Sequence, residues 1–403
     1  MLLKDKLLVP ILLLLVILPM IATDIYLPVI PSIDVELGGV RLNVTDTLTS
    51  YMFGYSLSLL SAGILADIFG RRIILIVGLT IFIASSVGCF FASSIEQLAI
   101  WRFFQALGGG CGTLIARIIV RDVFNQKSQV SVLSYLATGL VISPIFGPII
   151  GAYISTYLGW RSIFLALSFF SFVTLVLVYV YMKESLANNA HGKKLKIIVL
   201  LSQYFHLLRH REFIFNTLVI SFAWAIYFTF TSSSSVLIQR LYLIDPIEYS
   251  FIFSITICGF IFGTIFIRWR IKSSNLRFLI MLAGLIILTS TLILSILALG
   301  NFGSLWVNLS LVFFALFGIG IIFPATQAGV MNPFKNNIGL ISGLFYSIEM
   351  LFGAIFGLIL SYIGFTSWTL ISFIMLTAAS CIVVLSCWDK CCKQNLDNMI
   401  FKG

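Results

Sequence analysis

The chain has 403 residues, 60% of them hydrophobic and only 10% charged, with a mean hydropathy of +1.09. No soluble domain hides that much apolar surface, so the composition excludes a soluble enzyme or binding module and leaves a polytopic membrane protein. The formal charge of +10 does not point to nucleic acid, because the basic residues sit in short loops between apolar runs, where the positive-inside rule puts them.

In chain order, twelve apolar segments are expected at about residues 7–30, 46–66, 73–92, 98–120, 131–155, 162–182, 213–235, 249–268, 277–298, 305–325, 338–362 and 368–388. All are expected as helices, since open strands leave their backbone unsatisfied in lipid. The first run is too long for a signal-peptide core, and no small-residue cleavage site follows it. The longest polar stretch, Lys183 to Glu212, has six segments on each side. It divides the chain into an N-terminal six-helix bundle (1–182), a cytoplasmic linker (183–212), a C-terminal six-helix bundle (213–388) and a cytoplasmic tail (389–403). Most basic residues fall on one side, and the outer loops hold only Arg41, Arg161 and Arg240, so both termini are expected inside. A faint repeat joins the halves: Gly63 precedes Arg71 and Arg72, and Gly263 precedes Arg268 and Arg270. The seven cysteines lack paired spacing and are expected as free thiols. His191, His206 and His210 all lie in the central loop, so no metal cluster or cofactor is expected, and no nucleophile–base pair stands out for a membrane enzyme.

Of the fifteen acids, Asp24 and Glu349 alone lie well inside segments, one in each half. An ionisable group there costs about 3 kcal/mol or more and is a functional candidate by default. Asp24 reads as a proton-binding group; the plainer reading is a cap or interface residue, because Pro28 and Pro31 soon end the helix. Glu349 shares a face with Ser342, Tyr346 and Gly353, as expected of a cavity wall; the plainer reading is a structural polar pair. In the fourth segment Arg102, Gln105, Gly109 and Thr113 share a face, with Arg117 on roughly the same side. If Arg102 points inward it would hold Asp24 or another acid ionised; otherwise it snorkels to water. Candidate cavity-lining residues are Tyr51, Tyr55, Gln105, Trp224, Tyr227, Phe228 and Tyr346, with lipid contact as the alternative.

Three motifs add a family resemblance. The stretch from Gly63 through Leu65, Ala66, Asp67 and Gly70 to Arg71 and Arg72 resembles the G-x-L-A-D-x-x-G-R-R loop of the major facilitator superfamily, with Ile68 where a basic residue is usual. Arg102 to Gly109 resembles that family's fourth-helix motif. In the fifth segment Gly139, Ser143, Gly147 and Gly151 recur every four residues beside Pro148, similar to the motif of drug:proton antiporters, whose fifth helix packs against the other half. Asp24-Ile25-Tyr26-Leu27-Pro28 and the run from Ala116 to Asp122 resemble markers of the bicyclomycin/chloramphenicol resistance (Bcr/CflA) branch. The resemblance implies an all-α, twelve-helix facilitator fold in a bacterial inner membrane, monomeric, driven by a proton gradient and without a cofactor. Its partners would be protons, a small organic substrate such as a drug, and membrane lipid. Asp24 would be the proton-linked acid with Arg102 as motif partner, and Asp67 with Arg121 would form part of an inner gate. Glu349 is not a marker of that branch. The rival reading is a proton-coupled importer of a nutrient, with Glu349 in its specific site.

Overall fold

The structure, a computed structural model, describes residues 3–38, 43–185, 197–270, 275–334, 338–363 and 367–400. Arg41, His191 and the lysines at 193, 194, 196, 272, 335 and 402 lie outside them. Every described element is helical, as a backbone surrounded by hydrocarbon must be when it closes its own hydrogen bonds.

The first span is broken rather than continuous. Helix α1 (Leu3–Asp24) ends on the candidate acid, a single 3-10 turn follows at Leu27–Val29, and α2 (Ile30–Leu37) carries the span on to Leu37 instead of ending near residue 30. Pro28 and Pro31 lack the N–H that a continuous helix would require there. The first half continues with α3 (Asp46–Phe69), α4 (Arg71–Phe90), α5 (Ile95–Val123), α6 (Gln126–Leu158) and α7 (Ser162–Tyr181). A short α8 (Ile197–Leu207) lies in the polar connection. The second half is α9 (Arg211–Tyr242), α10 (Pro246–Arg270), α11 (Leu276–Leu299), α12 (Leu305–Met331), α13 (Ile338–Ile363) and α14 (Trp368–Ile400). Among the described residues 12 helical spans are long and apolar enough to cross a membrane. By the parity of these spans the start of α1 and the Asp389 end of the last span share one side, named the chain-end face; the loops before α3 and α10 mark the opposite face.

The two halves pack alike. In each, the second span crosses the fourth at a glycine pressed on a carbonyl. A Cβ on Gly54 of α3 would lie 2.2 Å from the Phe103 oxygen of α5, and one on Gly263 of α10 would lie 2.1 Å from the Phe317 oxygen of α12. Only glycine permits that approach. Across the halves, α3 meets α13 and α6 meets α10. The second contact is made by hydroxyls: Ser250 Oγ donates to the Pro148 carbonyl (3.0 Å) and Ser254 Oγ to that of Ile145 (2.7 Å). Cys89, Cys111, Cys258, Cys381 and Cys387 are free thiols.

Candidate functional site

A central cavity of about 210 Å³ lies between the halves, and both candidate acids line it. Its other walls include Tyr55, Trp224, Tyr227, Phe228 and Tyr346, all anticipated from sequence, together with Arg117, Phe260 and Phe323. The cavity reaches Arg268, exposed near the chain-end tip of α10. At the opposite face the halves are bridged: Arg240 pairs with Asp34 (2.5 Å), Asn43 Nδ2 donates to the Ser361 carbonyl (3.0 Å), and Gln239 Nε2 to that of Pro28 (3.0 Å).

Asp24 is 5% exposed, so it is neither a surface cap nor a headgroup residue. It sits where the first span breaks, facing α6. Ser143 Oγ donates to its Oδ2 at 2.6 Å. A Cβ on Gly147 would stand 2.7 Å from Asp24 Cβ, and one on Gly151 would stand 2.0 Å from the Ile25 oxygen. Gly139 likewise faces Leu13 and Ile17. The glycines and Ser143 of α6 therefore pack on the first span of their own half, while the helix also meets α10 of the other half, in part through Pro148, as the motif implied. The spacing of these small residues admits the acid and seats it under one hydroxyl. The cross-half hydrogen bonds of α6 come from the carbonyls of Ile145 and Pro148.

Arg102 does not pair with Asp24. It is fully buried, yet its Nη1 donates to the Ala22 carbonyl (2.9 Å) and to Gln105 Oε1 (2.7 Å). Gln105 Nε2 donates in turn to Ser86 Oγ (2.8 Å). The guanidinium carbon lies 4.2 Å from the Tyr51 ring centre and 4.6 Å from that of Tyr26, close enough for cation–π attraction. The break explains this cage. The Tyr26 N–H turns back to the Thr23 carbonyl, which leaves the Ala22 carbonyl without its helical donor, and a buried carbonyl must find another. Arg102 supplies it. Tyr51 and Gln105 belong to that cage and lie off the cavity walls.

Glu349 is 0% exposed, and neither of its carboxylate oxygens has a hydrogen-bond partner. The polar pairing considered for it is absent among the described residues. Trp224 Nε1, on the same cavity, is a buried donor without an acceptor.

At the chain-end face the loop motif forms an ion cluster with different partners from those expected. Asp67 pairs with Arg71, whose Nε reaches Asp122 Oδ2 at 3.3 Å. Arg121 has no ion pair to Asp67. Gly70 turns the chain at φ +101°, where its missing side chain leaves room for Glu184; a Cβ would stand 2.6 Å from that carboxylate. Glu184 accepts from the N–H groups of Arg71 (3.0 Å) and Arg72 (3.1 Å), at the start of α4 where an acid is favoured. Gly63 packs beside Leu114. The second half builds an analogous cluster, missed in the sequence: Arg277, at the start of α11, pairs with Glu212 (2.5 Å) and with buried Asp389, which also meets Arg211 (3.3 Å). In both halves an acid at or just past the end of the sixth span meets the arginine that opens the third span, through its N–H in the first half and its guanidinium in the second.

Two six-span halves around an acid-lined crevice make a membrane carrier, not an enzyme. The chain belongs to the Major Facilitator Superfamily, whose model matches residues 12–358, and is therefore a multi-pass transporter of small molecules. It is 27% identical to an uncharacterized MFS-type transporter, YdgK of Bacillus subtilis, over 82% of this chain and 83% of that one. It is 28% identical to Multidrug resistance protein MdtL of Escherichia coli, over 58% of each chain. Among solved structures it superposes on a D-xylose-proton symporter with a TM-score of 0.73 at 14% identity, covering 94% of this chain and 97% of that chain, a likeness of fold alone.

Proposed function

We propose that the chain is a proton-coupled antiporter of the bicyclomycin/chloramphenicol resistance type, exporting small organic molecules across a bacterial inner membrane, with its chain-end face in the cytoplasm. The observation that carries this reading is Asp24, a buried carboxyl at the break of the first span that lines the cavity under a single hydroxyl donor. Residues 1–182 and 213–388 rock as two bundles about that cavity, with 183–212 as linker. The bridged opposite face and the reach of the cavity to Arg268 support an inward-facing state. Protonation of Asp24 from outside and substrate binding from inside favour different arrangements of the bundles, so the gradient biases a two-state equilibrium. Arg102 keeps the break in shape and so positions Asp24. The ion clusters on Arg71 and Arg277 latch the cytoplasmic ends of each half.

Proton-coupled uptake of a nutrient is the second reading, and unpartnered Glu349 favours it. The walls argue the other way. They are largely aromatic and aliphatic, whereas a polyhydroxylated nutrient needs a denser set of hydrogen-bonding groups. The likeness to MdtL, a multidrug resistance protein, also supports efflux. Proteoliposomes with an imposed pH gradient decide: gradient-driven export of drugs, lost in Asp24→Asn, is expected, and uptake of labelled metabolites instead of export would reject it.

A further inference from the structure

We infer that Glu349 and the aromatic walls beside it form a subsite for an organic cation, one that carries a positive nitrogen or phosphorus next to flat apolar groups. The inference rests on the transporter reading for its context and extends it to a substrate class.

The argument starts from charge. A carboxylate with 0% exposure and no donor on either oxygen is a costly group to leave in a membrane protein. The basic residue within electrostatic reach is Arg117. It makes no ion pair within 4 Å of Glu349, and its guanidinium lies 4.5 Å over the Tyr346 ring. Tyr55 and Tyr346 are the other titratable groups near Glu349, and Asp24 and Arg268 line the same cavity farther off. Without a ligand such a group is neutralised by a proton, and a ligand that brings in a positive charge competes with that proton for it.

The walls say what surrounds that charge. Trp224 stacks on Tyr227 with ring centres 4.9 Å apart and planes 20° from parallel. Trp224 reaches the Glu349 face because Gly353, one turn beyond Glu349, has no side chain; a Cβ there would stand 2.9 Å from Trp224 Nε1. Trp224, backed by Tyr227, gives an aromatic surface on the cavity that Glu349 lines, with Tyr227 toward Asp24; rings and a carboxylate on one cavity suit a cation by quadrupole and by charge. The unused Trp224 N–H adds one donor for an acceptor on the ligand.

Equilibrium binding of tetraphenylphosphonium, ethidium and benzyltrimethylammonium to the full chain in lipid nanodiscs, without a gradient, tests this. The wild-type protein is expected to bind at least one of them. Glu349→Gln should weaken that binding by about tenfold or more, and Glu349→Asp should stay within about threefold. Binding by none of the three, or equal binding by a folded Glu349→Gln, overturns the inference. If Glu349→Gln fails to fold, Asp24→Asn decides: Glu349 is then the remaining acid on the cavity, so cation binding must weaken as the pH is lowered, and binding indifferent to pH overturns the inference. Because no gradient is applied, cation binding with no gradient-driven flux keeps this subsite and rejects the antiporter, while flux of neutral drugs with no cation binding does the reverse.

Discussion

The two membrane acids occupy one cavity under opposite conditions. Asp24, at the end of a broken helix, has a hydroxyl at 2.6 Å and Gly147 packed against it. Glu349, in the middle of unbroken α13, has no hydrogen-bond partner among the described residues. Under the proposed function the carboxyl with one fixed donor gains and loses a proton in place. The carboxyl with none waits for something to arrive. On that reading the same residue class takes two roles because the local backbone differs: at the break Ser143 and Gly147 enclose the side chain, whereas along continuous α13 no donor reaches it.

That contrast can be broken by experiment. The largest effect is expected from Asp24→Asn, which should reduce gradient-driven transport in proteoliposomes to background while the protein still reaches the membrane; active transport that survives would end the distinction. Next comes Gly151→Ala. Its methyl meets the immovable Ile25 carbonyl, so it should cost about 1–3 kcal/mol through forced backbone shifts, read as a lowered melting temperature and slower turnover. Glu349→Gln should change the substrate range, depressing efflux of cations more than that of neutral drugs; identical profiles would make the two acids equivalent. Ser143→Ala leaves the Asp24 carboxyl without its donor. At about 1.4 kcal/mol for such a bond it should slow proton-driven efflux about tenfold, and an unchanged rate would show that the hydroxyl is idle. The smallest effect belongs to Arg240→Ala. It removes a partly exposed pair to Asp34 worth about 0.2–1 kcal/mol, and should be seen as a modest gain in labelling of cysteines placed near the opposite face.

Much of this was legible beforehand, for identifiable reasons. Span number follows from the length of apolar runs, and Asp24 and Glu349 stand out because charge in such runs is rare. The four-residue period of Gly139, Ser143, Gly147 and Gly151 showed a close helix contact but not its partner, since small residues fit α1 as well as α10. Spacing left open whether Arg102 points inward or snorkels to water, and its acceptor, the Ala22 carbonyl, exists only because the backbone turns at Tyr26. Glu184 and Asp389 looked like ordinary loop acids. Their partners Arg71 and Arg277 lie more than a hundred residues earlier, a distance no local pattern spans.

The serine contacts between α6 and α10 have one more consequence. A hydroxyl bonded to a main-chain oxygen does not depend on which side chain it meets, because another such oxygen lies one turn along the same helix. Ser250 and Ser254 can therefore let go of one rung and take the next at nearly equal energy. The glycine-on-carbonyl crossings inside each half allow no such exchange. Under the proposed function the give between the halves therefore lies at this seam rather than inside either half.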